Sequence, residues 1–260
     1  AYTVTITDAS VAASALNTLD SKTTISVIAT AVNTITGTAA EINAVYTSNA
    51  AGTIVGLGNE AVTISDTSLS AAVLLTLDAQ TTGMVNAAAV TTITGTFAEI
   101  NAVYDAGANG TILGLGNEAI TITALLTVAQ LNTLAAQTTG IITAIIIEGN
   151  IATLTGLTET GHALLINVVD TSVAASALNT LNTKTTVPIT VTSTTITGTA
   201  VDISAAYTAN TAGTITGLGN EAVILSDTSI NASALITLDA FTTGIINASS
   251  ITTLTGSATD

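Results

Sequence analysis

Apolar and polar positions follow two rhythms in this chain, and the two take turns along its length. Short stretches such as Val62-Thr63-Ile64-Ser65 alternate strictly, the period-two pattern of a strand buried on one face. Between them run stretches with apolar residues three and four apart, the spacing of an amphipathic helix. In the coil that starts near Val62, Asp66-Thr67-Ser68 offers oxygens for a helix N-cap, and Leu69, Val73 and Leu77 then line one helical face. Residues 78–83 close that helix, and Met84-Val85-Asn86-Ala87 begins extended chain again. The next helix has a clearer start. Thr96-Phe97-Ala98-Glu99 has the spacing of a capping box, and Thr38 with Glu41 and Thr199 with Asp202 stand in the same relation. Beyond them Ile100, Val103 and Tyr104 face inward, matched by Ile42, Val45 and Tyr46 and by Ile203, Ala206 and Tyr207. The three tyrosines read as structural, with the ring buried and the hydroxyl in water.

These elements recur. The string GLGNEA stands at residues 56–61, 114–119 and 217–222, the first two copies 58 residues apart. Ile-Thr-Gly-Thr stands at 35–38, 93–96 and 196–199, with a near copy at 254–257. A finer period lies inside: Ile6, Ile35, Ile64, Ile93 and Ile122 are spaced by 29, and after a break so are Ile196, Leu225 and Leu254. A strand and a helix in every such unit predict an α/β fold, a right-handed solenoid of about 29-residue strand–helix coils in a 58-residue double repeat, with stacked parallel strands. Residues 1–122 and 169–260 are regular coils on this reading, and 123–168 are irregular coils within the same solenoid. Leu154 and Val168 are only 14 residues apart, too few for strand, helix and return, so this coil lacks most of a helix. Glu148-Gly149-Asn150 and residues 158–161 are its expected loops. Both ends fall inside a repeat, and residues 257–260 spell the start of a further capping box, so a piece of a longer chain is expected.

Composition sharpens the picture. Hydrophobic residues make up 48% of the 260 but aromatics only 2%, so the core is built from Ala, Val, Ile and Leu. Charged residues are 7%, against roughly 25% in ordinary soluble domains, which leaves a skin of Thr, Ser, Asn and Gly. Seventeen acids face Lys22 and Lys184, a formal net charge of −15. A chain without phosphate-neutralising cations is no nucleic-acid binder. No apolar stretch reaches a membrane-spanning length, since residues 144–147 end at Glu148, and no membrane insertion is expected. There is no cysteine, which removes disulfides and thiolate metal sites.

Candidate chemistry is thin. GLGNEA has the G-x-G-x-x-A form of a dinucleotide fingerprint, but that motif must open a helix, and here a strand follows it three times. A repeated corner is the reading that fits. His162 is the only histidine and there is no cysteine, so neither a triad nor a histidine-rich metal site is expected, and it sits in the irregular stretch as a loop residue. Asp66, Asp170 and Asp227 stand at helix starts, where capping accounts for them. No catalytic and no cofactor-binding residue emerges, and no enzyme is expected. Calcium held between coils or molecules stays compatible with the charge, with Asp20, Asp78 and Asp239 as weak candidate ligands. Asn59, Asn117 and Asn220 recur at one corner and Asn86 and Asn247 at another, the pattern of an asparagine ladder. Thr5/Thr7, Thr34/Thr36, Thr92/Thr94, Thr121/Thr123, Thr153/Thr155, Thr195/Thr197 and Thr253/Thr255 flank inward residues, the pattern of a flat threonine grid such as ice-binding solenoids carry.

The run from Val90 to Asn101, followed by the GLGNEA copy at 114–119, and the run Ser65-Asp66-Thr67-Ser68-Leu69 resemble repeats of very large cyanobacterial surface proteins called "beta strand repeat" proteins. Thr38-Ala39-Ala40-Glu41-Ile42-Asn43 is also similar to repeats of phage tail fibres. The resemblance spans nearly all of the chain except 123–168 and brings no catalytic residues with it. It implies a structural repeat protein at the cell surface or outside the cell, a rod or a subunit of an extracellular filament or surface layer, with copies of itself as partners. The alternative class is a surface adhesin, or an ice- or glycan-binding module that uses the threonine face.

Overall fold

The computed structural model describes residues 3–257. They form two compact units: residues up to Ala124 with Ala136–Ile141, and Leu125–Ala135 with the residues from Ile142 onward. Both are α/β, with short parallel strands and helices, and no sheet among the described residues closes on itself. The further capping box expected at 257–260 lies outside the described residues apart from Ser257.

The first unit contains helices α1 (Ala13–Asp20), α2 (Ala39–Ala51), α3 (Ala71–Gln80) and α4 (Phe97–Asn109). Its central sheet has five strands, in the order Ile112–Leu113, Val85–Asn86, Ala61–Ile64, Thr34–Gly37, Ser10–Ala12. A three-stranded sheet holds Val4–Thr5, Val27–Ile28 and Ile54–Val55. In a third, Thr92–Gly95 lies between Ser68–Ser70 and the first half of Ala119–Leu126. Inward positions along the central sheet make a column of branched aliphatics. Ile35, Val62, Val85 and Ile112 are at most 1% exposed, and each pairs with the next across the strands. Burying four such side chains stabilises the unit by about 1.5–3 kcal/mol each.

The pairing corrects the expected 29-residue coil. Ile35 lies beside Val11 and Val62, and Ile64 lies beside Gly37, not beside Ile35. Hydrogen-bonded neighbours are 24 residues apart from Ser10 to Thr34 and 27 apart from Thr34 to Ala61. The physical reason is a side step. After strand Ala61–Ile64 the chain does not enter a helix; it runs through Ser65-Asp66-Thr67 into a further strand, Ser68–Ser70, of the next sheet. The side step moves the chain over to the next sheet, and it adds residues that the return path does not use.

Helix starts move for the same reason. The N-cap of α3 is Ser70, whose side chain accepts from the Val73 amide, two residues beyond the expected Asp66-Thr67-Ser68 cap. The buried face of α3 becomes Ala71, Leu74 and Leu77, while Leu69 falls in a strand and Val73 is 37% exposed. The capping boxes of α2 and α4 form as expected, with Thr38 and Thr96 accepting from the Glu41 and Glu99 amides and both glutamates returning to the cap amides.

The second unit contains α5 (Val128–Ala135), α6 (Ile151–Leu154), α7 (Ala175–Asn182), α8 (Ala200–Thr211) and α9 (Ala232–Asp239). Its largest sheet inside the unit orders Ser172–Ala174, Thr195–Gly198, Ala222–Leu225 and Ile246–Asn247. Steps here are again 23 and 27 residues, from Ser172 to Thr195 and from Thr195 to Ala222. The irregular stretch has the shortened helix its spacing predicts, since α6 is four residues long. Leu154, placed at a strand centre by spacing alone, is the buried residue of that helix.

The threonine grid does not form. Thr153 lies in α6 and Thr155 is its C-cap, so neither is on a strand. Thr34 and Thr92 lie in different sheets, because of the side step. The columns that do form read Ser10–Thr34–Ala61, Ser68–Thr92–Ala119 and Ser172–Thr195–Ala222. Only two threonines adjoin in the longest run, Thr36 and Thr63, between Ala12 and Asn86.

Candidate functional site

The densest polar chemistry in the molecule lies at the three GLGNEA corners. Each glutamate of that string is buried, Glu60 and Glu221 to 1% exposure and Glu118 to 0%. A buried carboxylate needs donors. Glu118 finds them in the Tyr104 hydroxyl at 3.0 Å and the Gly116 amide, which reaches both oxygens at 3.0 and 2.9 Å. Glu221 receives the Tyr207 hydroxyl at 3.1 Å and the Gly219 amide at 3.1 and 2.8 Å. Glu60 receives the Tyr46 hydroxyl, the Gly58 amide and the Asn59 amide. The tyrosine hydroxyls expected in water are thus inside, each tied to a glutamate 14 residues further on.

The main chain of each glutamate is fixed as well. The Glu60, Glu118 and Glu221 carbonyls accept from the hydroxyls of Thr81, Thr138 and Thr242 at 2.7, 2.8 and 2.9 Å. Those hydroxyls in turn accept from the amides of Gly83, Gly140 and Gly244. Glycine is required there by close approach: a Cβ on Gly140 would stand 2.0 Å from the Glu118 carbonyl oxygen. At the corner itself Gly114 has φ +84° and lies against the Ala88 backbone, so both its conformation and its lack of a side chain are used. The Tyr207 ring also stacks on Phe241, centroids 5.6 Å apart.

Burial raises the Tyr46 and Tyr104 hydroxyls far above the ordinary tyrosine range, and the facing glutamates add to the rise. Tyr207 is pushed up to about 12 by burial, and Glu221 pushes in the same direction. A hydroxyl held neutral against a carboxylate is a hydrogen-bond donor and no base. The arrangement fastens a corner between helix and sheet, and at the second copy an open groove lined by Tyr104, Gly114, Leu115, Gly116 and Gln137 adjoins it.

The acids at helix starts cap helices, but not their own. Asp66 Oδ2 accepts from the Ala39 amide of α2 at 2.6 Å, and Asp227 Oδ2 from the Ala200 amide of α8 at 2.7 Å. Asp170 Oδ2 accepts from Ile151 at 2.7 Å, and Glu148 from Val128 at 3.2 and 3.1 Å. Each carboxylate thus meets the positive end of a helix from the loop that follows a strand.

Each candidate calcium ligand has its own surroundings. Asp20 accepts from the hydroxyls of Ser48 and Thr53, Asp78 accepts from Thr111, and Asp239 is exposed at the end of α9. No group of three or more histidines or acids that could hold a metal ion forms among the described residues. His162 is no loop residue. It is 8% exposed, bridges to Thr185, and its Nδ1 accepts from the Ile142 amide at 3.2 Å, which puts the ring proton on Nε2. Burial lowers its pKa, with the Glu159 charge acting the other way. The asparagine ladder is absent at its second corner: Asn86 and Asn247 accept from the amides of Ala88 and Ser249 in their own turns. Asn59, Asn117 and Asn220 are exposed. Among the described residues no helix is long and apolar enough to cross a membrane.

No family model, no curated protein and no solved structure matches the chain. The Tyr–Glu spacing of 14, constant in all three copies, is the signal that sequence reading passed over.

Proposed function

We propose that this chain is a structural repeat protein. Each unit is a run of right-handed α/β solenoid coils, and the whole serves as a rod or as a subunit of an extracellular filament or surface layer, of the kind the "beta strand repeat" surface proteins suggest. The observation that carries this reading is the parallel register, with steps of 23 or 24 residues followed by 27 in the Ser10–Thr34–Ala61 and Ser172–Thr195–Ala222 ladders of the two units. Support comes also from the corners. The buried tyrosines and glutamates recur in three copies and are consumed in holding strand to helix, as expected of a building unit and not of a single active site. A hydroxyl-rich skin with few charges suits close lateral packing outside the cell.

Electron microscopy of the chain, with and without a calcium chelator, tests this. Continuous filaments are the expected result, and their loss on chelation would add calcium as a clamp. Single particles of one chain at every concentration would remove the filament reading.

A further inference from the structure

Outward strand positions in the second unit mostly carry small or hydroxyl side chains, as in the column Ser172, Thr195, Ala222. Ile224 and Leu254 are single exceptions, and one place departs from this with several large aliphatics together. Strand Ile142–Ile146 buries Ile142, Ala144 and Ile146 and turns Thr143 and Ile145 outward, and Ile147 follows them. Ile145 pairs directly with Leu165, so the two side chains stand shoulder to shoulder on one face. The Ile147 amide donates to the Leu126 carbonyl, which brings the strand of Leu125 alongside. Val169, whose amide donates to Gly149, borders the end of the strand. Leu125, Ile145, Ile147, Leu165 and Val169 are 57, 45, 57, 44 and 61% exposed. Contiguous apolar patches of this kind often mark interaction sites.

We propose that this patch is the contact through which two copies of the chain associate side by side, outward face on outward face. The choice of a second copy rests on the assembly reading above; the patch itself does not. Its area fits the role. A standard interface buries about 800 Å² per partner, a little over half of it apolar, so it needs about 450 Å² of apolar surface. The five side chains, each about half exposed, present a patch on the order of a few hundred Å², the size class of interaction patches. The chemistry fits a like partner: a flat row of branched aliphatics on parallel strands is complementary to itself across a twofold axis. The nearest acids do not spoil it. Glu148 and Asp170 are turned to the amides of Val128 and Ile151, where helix N-termini hold them. The remaining obstacle is the net charge of −15, which salt screens.

The test is sedimentation velocity on the whole chain and on Ile145→Thr with Leu165→Thr, with circular dichroism to check the fold. A second variant, Ile147→Cys, gives a chain with no other cysteine a single thiol in the patch, and Thr180→Cys on α7 is its control. We expect concentration-dependent dimers that strengthen with salt, at least about tenfold weaker in the double variant, and disulfide-linked pairs from Ile147→Cys alone. Equal association of wild type and double variant overturns the proposal, as does equal cross-linking of the two cysteines. A wild type that stays monomeric at all concentrations also overturns it, and hands the patch to a different partner. Filaments that form while the double variant associates normally would overturn the patch and keep the filament reading. Dimers abolished by the double variant, with no filaments seen, would keep the patch and remove the filament.

Discussion

Asp66 caps a helix that began 27 residues before it: its Oδ2 accepts the Ala39 amide proton at 2.6 Å. The bond ties the side step between two sheets to the start of α2, so one carboxylate serves both register and capping. Asp66→Ala should lower stability by about 1 kcal/mol, the usual worth of an N-cap. Asp66→Asn should recover part of it, since an amide oxygen still accepts. Urea denaturation of the two variants checks this, and Asp227→Ala in the second unit should behave alike, because Asp227 meets Ala200 in the same way.

The corner offers a graded series. Tyr104→Phe keeps the ring in its pocket and removes one donor from buried Glu118, a loss of about 1–3 kcal/mol. Thr138→Val leaves two backbone partners unmet, the Glu118 carbonyl and the Gly140 amide, and should cost at least as much. Gly140→Ala should be the worst of the three, since its Cβ meets backbone at 2.0 Å and backbone cannot swing aside as a side chain does. An order of loss other than this, measured by thermal unfolding, would deny the corner its role.

High pH should act through the same groups. An unfolded tyrosine ionises near 10, whereas Tyr207 in the fold is pushed up to about 12. The folded pKa is raised, so the contribution of Tyr207 is fully present below about 10 and is lost as pH climbs toward 12, where the unfolded chain releases protons that the fold retains. Tyr46 and Tyr104 are raised further and act in the same sense. The thermal midpoint should fall steeply above pH 10, and tyrosinate absorbance should appear together with unfolding and not before it.

Local features of the fold were legible in the residues, and long-range ones were not. Period-two alternation located strands such as Ala61–Ile64, and Thr–Glu spacing located the starts of α2 and α4, because both signals lie within a few residues. The 29-residue spacing differs from the pairing because the recurrence of Ile35 and Ile64 reports likeness of sequence, while hydrogen bonding obeys path length, which the strand Ser68–Ser70 alters. Glu60, Glu118 and Glu221 were passed over because a charged residue beside glycine and asparagine reads as surface. What buries them is a tyrosine from the helix before, and no window shorter than their 14-residue spacing contains both.

His162 gives the last prediction, at the acid side. Its ring is buried, its Nδ1 accepts from the Ile142 amide, and burial lowers its pKa below the ordinary 6.5. With a depressed folded pKa the unfolded chain binds the proton first. Stability is therefore whole above about 6.5 and declines as pH falls through that value toward the folded pKa. Protonating the folded ring would also turn Nδ1 from acceptor to donor, directly against the Ile142 amide. In the wild type the thermal midpoint should drop as pH is lowered below the histidine range, before the carboxylates titrate. His162→Leu loses the Ile142 bond and should be less stable at neutral pH, yet it should show no such drop. A variant that follows the wild-type pH profile in parallel would place the acid sensitivity away from His162.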